Sequence, residues 1–77
     1  MDAAGLAQRL VVARNARGWS QERLAEESGI ARRTIAALEG QEHTGHFATV
    51  EHLADVLQVS LDWLAWDLGE MIRRVFP

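Results

Sequence analysis

The sequence predicts an all-α fold, five short helices packed into one small domain. Three observations carry that prediction. Apolar residues recur at spacings of three and four, and no stretch alternates with the two-residue period of a strand. The one proline stands at the last position, Pro77, so no proline interrupts a helix earlier in the chain. Glycines and capping-type polar residues (Gly18, Ser20, Gly29, Gly40, Ser60) punctuate the apolar pattern at helix-length intervals.

The first helix runs from about Ala3 to Arg17, with Leu6, Leu10 and Ala13 on one face and Gln8, Arg9 and Arg14 distributed around it. Gly18 suits the left-handed position that ends such a helix. Trp19 follows as a partly buried cover over the first two helices. Ser20-Gln21-Glu22-Arg23 is a helix start: the serine hydroxyl accepts from an orphan N–H of the first turn, worth about 1 kcal/mol, and Glu22 suits the positive end of the helix dipole. Leu24 and Ala25 face inward, and Gly29 ends this helix after Ser28. The third helix runs from about Ala31 to Leu38, closes at Gly40, and buries Ile35 and Leu38, with Ile30 anchoring the turn before it.

Residues 40–48 read as a polar loop. Thr49 is placed to cap a fourth helix, Val50 to about Leu57, whose buried stripe is Val50, Leu53, Ala54 and Leu57. Ser60 caps a fifth helix from Leu61. Leu61, Ala65, Leu68, Ile72 and Val75 continue at spacings of four and three, which predicts one long helix interrupted only by Gly69. The chain therefore divides into a domain at 1–66 and a C-terminal helical extension at 67–77. Trp66, at the end of the domain, and Leu68, Ile72 and Val75 of the extension, with Met71 and Phe76, form an apolar surface. An exposed apolar surface marks an interface, so the expectation is a dimer contact. The alternative is that this segment folds back over its own core. Arg73 and Arg74 are expected on a solvated face.

Composition narrows the function classes. A chain of 77 residues is one domain. At 48% hydrophobic and 25% charged it is ordinary globular material, too apolar for disorder. The absence of cysteine excludes a disulfide scaffold, a zinc finger and a thiol nucleophile together. Apolar runs are only a few residues long, so no span crosses a bilayer. Met1-Asp2-Ala3-Ala4 has neither the basic start nor the apolar core of a signal peptide, and the expected compartment is the cytoplasm. All eight basic residues are arginine and eleven acids outnumber them, for a net charge of −3. An indiscriminate polycation on nucleic acid is thereby excluded, whereas a sequence-specific binder needs its cations on one face only.

Catalysis finds no support. Ser20, Ser28 and Ser60 are helix-terminal, and no nucleophile elbow, phosphate loop or dinucleotide fingerprint is present, so no enzyme and no cofactor is expected. His43, His46 and His52, near Glu42 and Glu51, lack a metal-ligand spacing, and no metal is expected. His43 and His46 are better suited to touch phosphates, more so below about pH 6.5, where imidazole gains charge.

The informative stretch is Gln21 to Gly40. Two short helices meet through a tight turn. Ala25 is small because the second helix of the pair crosses close to it, and Gly29 lets the turn take a positive φ. Leu24, Ile30, Ile35 and Leu38 fill the wedge and lock the angle. The outer face of the second helix is then free to enter a major groove about 12 Å wide.

This stretch resembles the helix-turn-helix of lambda-repressor-like proteins, the small five-helix domains of phage-repressor type. Arg14, Gly18-Trp19-Ser20-Gln21, Leu24-Ala25, Gly29-Ile30, Thr34-Ile35, Leu38-Glu39 and Gly40 carry the resemblance. Downstream, Leu53-Ala54, Leu57 and Val59-Ser60-Leu61-Asp62-Trp63-Leu64 continue it, for coverage of roughly residues 5 to 65. The resemblance implies DNA binding, with Ser20 and Gln21 at a phosphate and Ala31, Arg32 and Arg33 opening the recognition helix. Arginine pairs bidentately with guanine O6 and N7, worth about 1–3 kcal/mol of discrimination per contact. Thr34 is placed for a phosphate or a thymine methyl, while Ala36 and Ala37 permit close approach. The resemblance also implies a structural salt bridge between Arg14 and Glu39 and a core position for Trp63.

Three departures stand out. The loop Gln41-Glu42-His43-Thr44-Gly45-His46 has no Lys or Arg, Ala31 replaces a Ser/Thr-type cap, and residues 17–46 hold four arginines against five acids. Weak affinity as a monomer follows, and two half-sites read by a homodimer would offset it. The expectation is a transcriptional regulator, repressor or small controller protein, on a near-palindromic operator in double-stranded DNA. The alternatives are an antitoxin subunit that binds a toxin through its C-terminal segment and a helical protein-interaction module without DNA binding.

Overall fold

The computed structural model describes residues 1–72. The order is α1 (Ala3–Ala16), α2 (Gln21–Ser28), α3 (Arg32–Glu39), α4 (Phe47–Leu57) and α5 (Leu61–Trp66). No helix among the described residues is long and apolar enough to cross a membrane.

The apolar faces read from the spacing meet in one core. Leu6, Leu10 and Ala13 of α1, Leu24 of α2, Ile35 and Leu38 of α3, and Val50, Leu53, Ala54 and Leu57 of α4 are all buried, closed by Val59, Leu64 and Ala65. Trp19, Ile30 and Trp63 pack against this core partly buried. Because α2 and α3 bury only two residues each, Leu24 and Ser28 on one and Ile35 and Leu38 on the other, most of their surface stays outside.

Helix ends follow the sequence where a capping residue stands there. Asp2 accepts from Gly5 N–H at 2.7 Å and opens α1. Ser20 Oγ accepts from Arg23 N–H at 3.0 Å and opens α2. Ser60 Oγ accepts from Trp63 N–H at 3.3 Å and opens α5. Past the end of α1, Gly18 is left-handed at φ 71°, its N–H on Asn15 O and the Trp19 N–H on Arg14 O. The same closure ends α3 on Gln41 rather than Gly40, which keeps a negative φ.

Two boundaries differ from the sequence reading. First, α4 begins at Phe47, three residues early, with His46 as its N-terminal flank and no side-chain cap. Thr49 is inside the first turn. The extra residues place Phe47 beside Trp66, ring centroids 5.6 Å apart. Second, the expected long fifth helix stops at Trp66, so residues 67–72 are not a helical extension.

The physical reason for the second difference lies in how the end of α5 is satisfied. Asp67 turns left-handed (φ 56°), with its N–H on Trp63 O and the Leu68 N–H on Asp62 O. The Arg9 guanidinium, reaching across from α1, donates to Leu64 O at 2.9 Å and Ala65 O at 3.2 Å. Gly69 is left-handed as well, and the chain returns so that Ser60 N–H donates to Met71 O at 2.8 Å and Ile72 bridges Val59 antiparallel. Met71 lies against the core, whereas Leu68 and Ile72 of the apolar stripe are exposed. Arg73, Arg74, Val75 and Phe76 lie outside the described residues.

Candidate nucleic-acid interface

The α2–turn–α3 unit is fixed from three sides. At its centre Gly29 is left-handed at φ 74°, and its N–H closes on Ala25 O at 2.9 Å. An added Cβ there would meet no neighbour, so the glycine answers the backbone angle and not a lack of space. Ser28 is buried, and its Oγ accepts from Ile30 N–H at 3.1 Å, bracing the turn from within. From α4, His52 Nε2 lies 2.7 Å from Ser28 O and supports the last carbonyl of α2.

The far end of α3 is tied down by a charge hub. Arg14 Nε and Nη2 donate to the two Glu39 carboxylate oxygens at 2.7 and 3.0 Å, and Arg14 Nη1 donates to Trp19 O at 2.7 Å. Gln21 Nε2 adds a third donor to Glu39 at 3.1 Å. The hub is largely shielded, with side chains 14% (Arg14) and 6% (Glu39) exposed. Hydrogen bonding to Glu39 holds the Arg14 guanidinium charged above its ordinary range, against the opposing effect of burial. One carboxylate thus joins α1, the start of α2 and the end of α3.

What this scaffold leaves outside is the outer face of α3 and the start of α2. Ser20, Ala31, Arg32 and Arg33 are exposed, and Gln21, Thr34 and Ala37 are half-buried. Arg32 pairs as an ion with Glu22 of α2, Nε 2.9 Å from Oε1, whereas Arg33 has no ion-pair partner among the described residues. Arg17 and Arg23 lie over the Trp19 ring at 4.6 and 5.7 Å, next to the Ser20 cap. Ala31 makes no side-chain cap hydrogen bond, so the first amides of α3 are without one.

The sequence profile of the helix-turn-helix family HTH_3 matches residues 12–64. The chain belongs to that family. Among solved structures it is similar to a hypothetical transcription factor, NHTF, from Neisseria: 32% identity over 80% of this chain and 71% of that one, at a TM-score of 0.77. It is also similar to an HTH_3 family transcriptional regulator from Vibrio cholerae, with 23% identity over 86% of this chain and a TM-score of 0.77. That second likeness is one of fold, and this chain spans 37% of the Vibrio protein. No curated protein matches the chain.

Membership of the helix-turn-helix family agrees with the five-helix, lambda-repressor-like resemblance read from Arg14 to Leu64. The pair Arg14–Glu39 forms as that resemblance implied. Gln21 is turned toward Glu39 through one N–H of its carboxamide, leaving the second N–H and the oxygen for another partner. Of the residues expected at an apolar contact, Trp66, Leu68 and Ile72 are 44%, 60% and 60% exposed, and Val75 lies outside the described residues. His43, His46 and His52 do not come together as a metal-holding group among the described residues.

Three contacts in the structure have no signal in the sequence. Glu22 suits the helix dipole, and it also pairs with Arg32 across the turn. Arg9 was left on the periphery and instead satisfies the end of α5. His52, set among the histidines that lack a metal-ligand spacing, supports the turn. Each is a long-range pairing, and no local pattern signals it.

Proposed function

We propose that this chain is a sequence-specific transcriptional regulator that lays α3 in the major groove of a near-palindromic operator and binds it as a homodimer. The observation that carries the proposal is the bare outer face of α3, with Arg32 and Arg33 exposed beside the capped start of α2. Membership of the helix-turn-helix family and the likeness to the Neisseria transcription factor support the DNA-binding class. Ser20 and Gln21 take a phosphate at the start of α2, where amide N–H groups and the helix dipole favour an anion. Arg32 and Arg33 read guanine or hold phosphate, Thr34 reaches a phosphate or a thymine methyl, and Ala31 and Ala37 allow close approach.

Apolar Trp66, Leu68 and Ile72, all exposed, support a contact between two copies that sets the recognition helices about 34 Å apart. A second reading, a protein-interaction module without DNA binding, is favoured by two observations. Glu22 occupies Arg32, and the loop 41–46 holds no Lys or Arg. The same apolar patch would serve a toxin partner.

Titration on oligonucleotides selected from a random pool separates these readings. The regulator loses affinity steeply with salt, and Arg32→Ala and Arg33→Ala change its base preference. No binding by the chain at low salt would overturn the regulator in favour of the interaction module. Sizing Leu68→Glu/Ile72→Glu tests the dimer: wild type elutes as two chains and the variant as one, and a wild-type monomer refutes the contact.

A further inference from the structure

The geometry points to Glu22 as the residue that aims Arg32, fixing its guanidinium so that the Nη1/Nη2 end faces a guanine. This inference rests on the operator-reading role proposed above and names the residue that makes it selective.

Glu22 stands in the first turn of α2 and Arg32 is the first residue of α3, ten positions apart and on opposite sides of the turn. Glu22 Oε1 forms an ion pair with Arg32, its closest approach 2.9 Å from Nε, between two exposed side chains. A guanidinium has two hydrogen-bonding edges. A carboxylate drawn to the Nε side lies against the side edge and leaves the end, with two parallel N–H groups on Nη1 and Nη2, facing away. That fork matches guanine O6 and N7. No second ion-pair partner holds Arg32 among the described residues, so its aim depends on Glu22.

Glu22 is itself held. It sits where the helix dipole favours an acid. Its own backbone N–H, the charge of Arg32 and the Ser20 hydroxyl together keep its carboxyl below the ordinary glutamate range. Arg33, one residue on, has no such tether among the described residues and is free to follow a phosphate.

The pair also works against the wrong sequence. A carboxylate beside the recognition helix repels phosphates on any DNA, and only a guanine that accepts both Nη donors offsets it. Glu22 thus lowers affinity for unrelated DNA while sharpening the choice of base, which is discrimination by a repulsive element.

The test measures base preference at each operator position for the full chain and for Glu22→Ala, Glu22→Gln, Arg32→Ala and Glu22→Ala/Arg32→Ala. Wild type prefers guanine at one position per half-site by roughly 5- to 150-fold. Glu22→Ala cuts that preference by about fivefold or more and tightens binding to unrelated DNA. Glu22→Gln, whose amide oxygen can still lie against the Nε side, keeps part of the preference and shares the tighter unrelated binding. In the double variant Glu22→Ala adds nothing to the loss from Arg32→Ala. Thermal midpoints of the Glu22 variants stay within about 4 °C of wild type, since the site is exposed, so a structural role would not produce this pattern. If Glu22→Ala keeps a guanine preference that Arg32→Ala abolishes, the aiming role is overturned and the operator reading stands. If Arg32→Ala itself keeps every preference, base reading by Arg32 fails, and the aiming role with it.

Discussion

Removing Glu39 tests the hub on which the orientation of α3 depends. Glu39→Ala leaves three donors without their acceptor: Nε and Nη2 of Arg14 and Nε2 of Gln21. Arg14 cannot swing into water to recover them cheaply, because it is only 14% exposed and remains tied to Trp19 O. Breaking a fully buried pair by removing one partner costs about 3–5 kcal/mol. Two effects reduce that figure here. The pair is not wholly dry, and Glu39 is the last residue of α3, where a negative charge opposes the helix dipole by about 0.3–1 kcal/mol. The expected net loss is about 2–4 kcal/mol.

Against a total of roughly 4–12 kcal/mol for a domain of this length, that is a large fraction. Thermal denaturation followed by circular dichroism should show the midpoint falling by about 10–25 °C. Replacing both partners, as in Arg14→Met/Glu39→Leu, should recover most of the loss, because no charge is then stranded. It should nonetheless weaken selective DNA binding, since α3 loses its tie to α1 and α2. A Glu39→Ala midpoint within about 2 °C of wild type would refute the reasoning, because the donors must then have found water.

Other expectations follow from single contacts. Arg9→Met removes the donors to Leu64 O and Ala65 O and should cost about 1–3 kcal/mol, with faster amide exchange in α5 than in α3. Ser20→Ala should cost about 1 kcal/mol in urea denaturation, and Ser20→Thr should keep most of it, because the lost element is the hydroxyl on Arg23 N–H. Gly29→Ala should cost about 1–2 kcal/mol through its φ of 74°, although space for the methyl is open. In pH-dependent unfolding, Asp2 and Glu22 set an acid limb. Asp2 is held below its ordinary value chiefly by the Gly5 N–H, and Glu22 chiefly by its own backbone N–H. Their folded values are lowered, so their stabilisation is present above the ordinary carboxylate range and is lost as pH falls through the lowered values. Asp2→Asn should flatten that limb, and an unchanged slope below about pH 4 would remove Asp2 from the account.

Much of the architecture was legible in the sequence because the physics that sets it is local. Spacings of three and four place Leu6, Leu10, Val50, Leu53 and Leu57 on buried faces whatever lies opposite. A serine before a helix accepts from its first turn, and a glycine at a positive φ ends one; Ser20, Ser60, Gly18 and Gly29 obey those rules. The outer face of α3 was legible for the same reason, since the residues that must be buried identify those left outside. The end of α5 was not. Leu68 and Ile72 have the spacing of a continuing helix, but periodicity records only which positions are apolar. It does not reveal that Arg9, more than fifty residues earlier, takes the carbonyls of Leu64 and Ala65, or that Met71 returns to Ser60. At the start of α4, likewise, Phe47 meets Trp66, a contact between residues far apart in the chain. Glu22 and Arg32 belong to the same class: each is an ordinary surface charge in its own helix, and only the angle between α2 and α3 makes them a pair. Local rules therefore settled which segments coil and which faces they hide. Tertiary packing decided where the last helix stops and which charges meet, because those outcomes depend on groups distant in the chain whose approach no short stretch encodes.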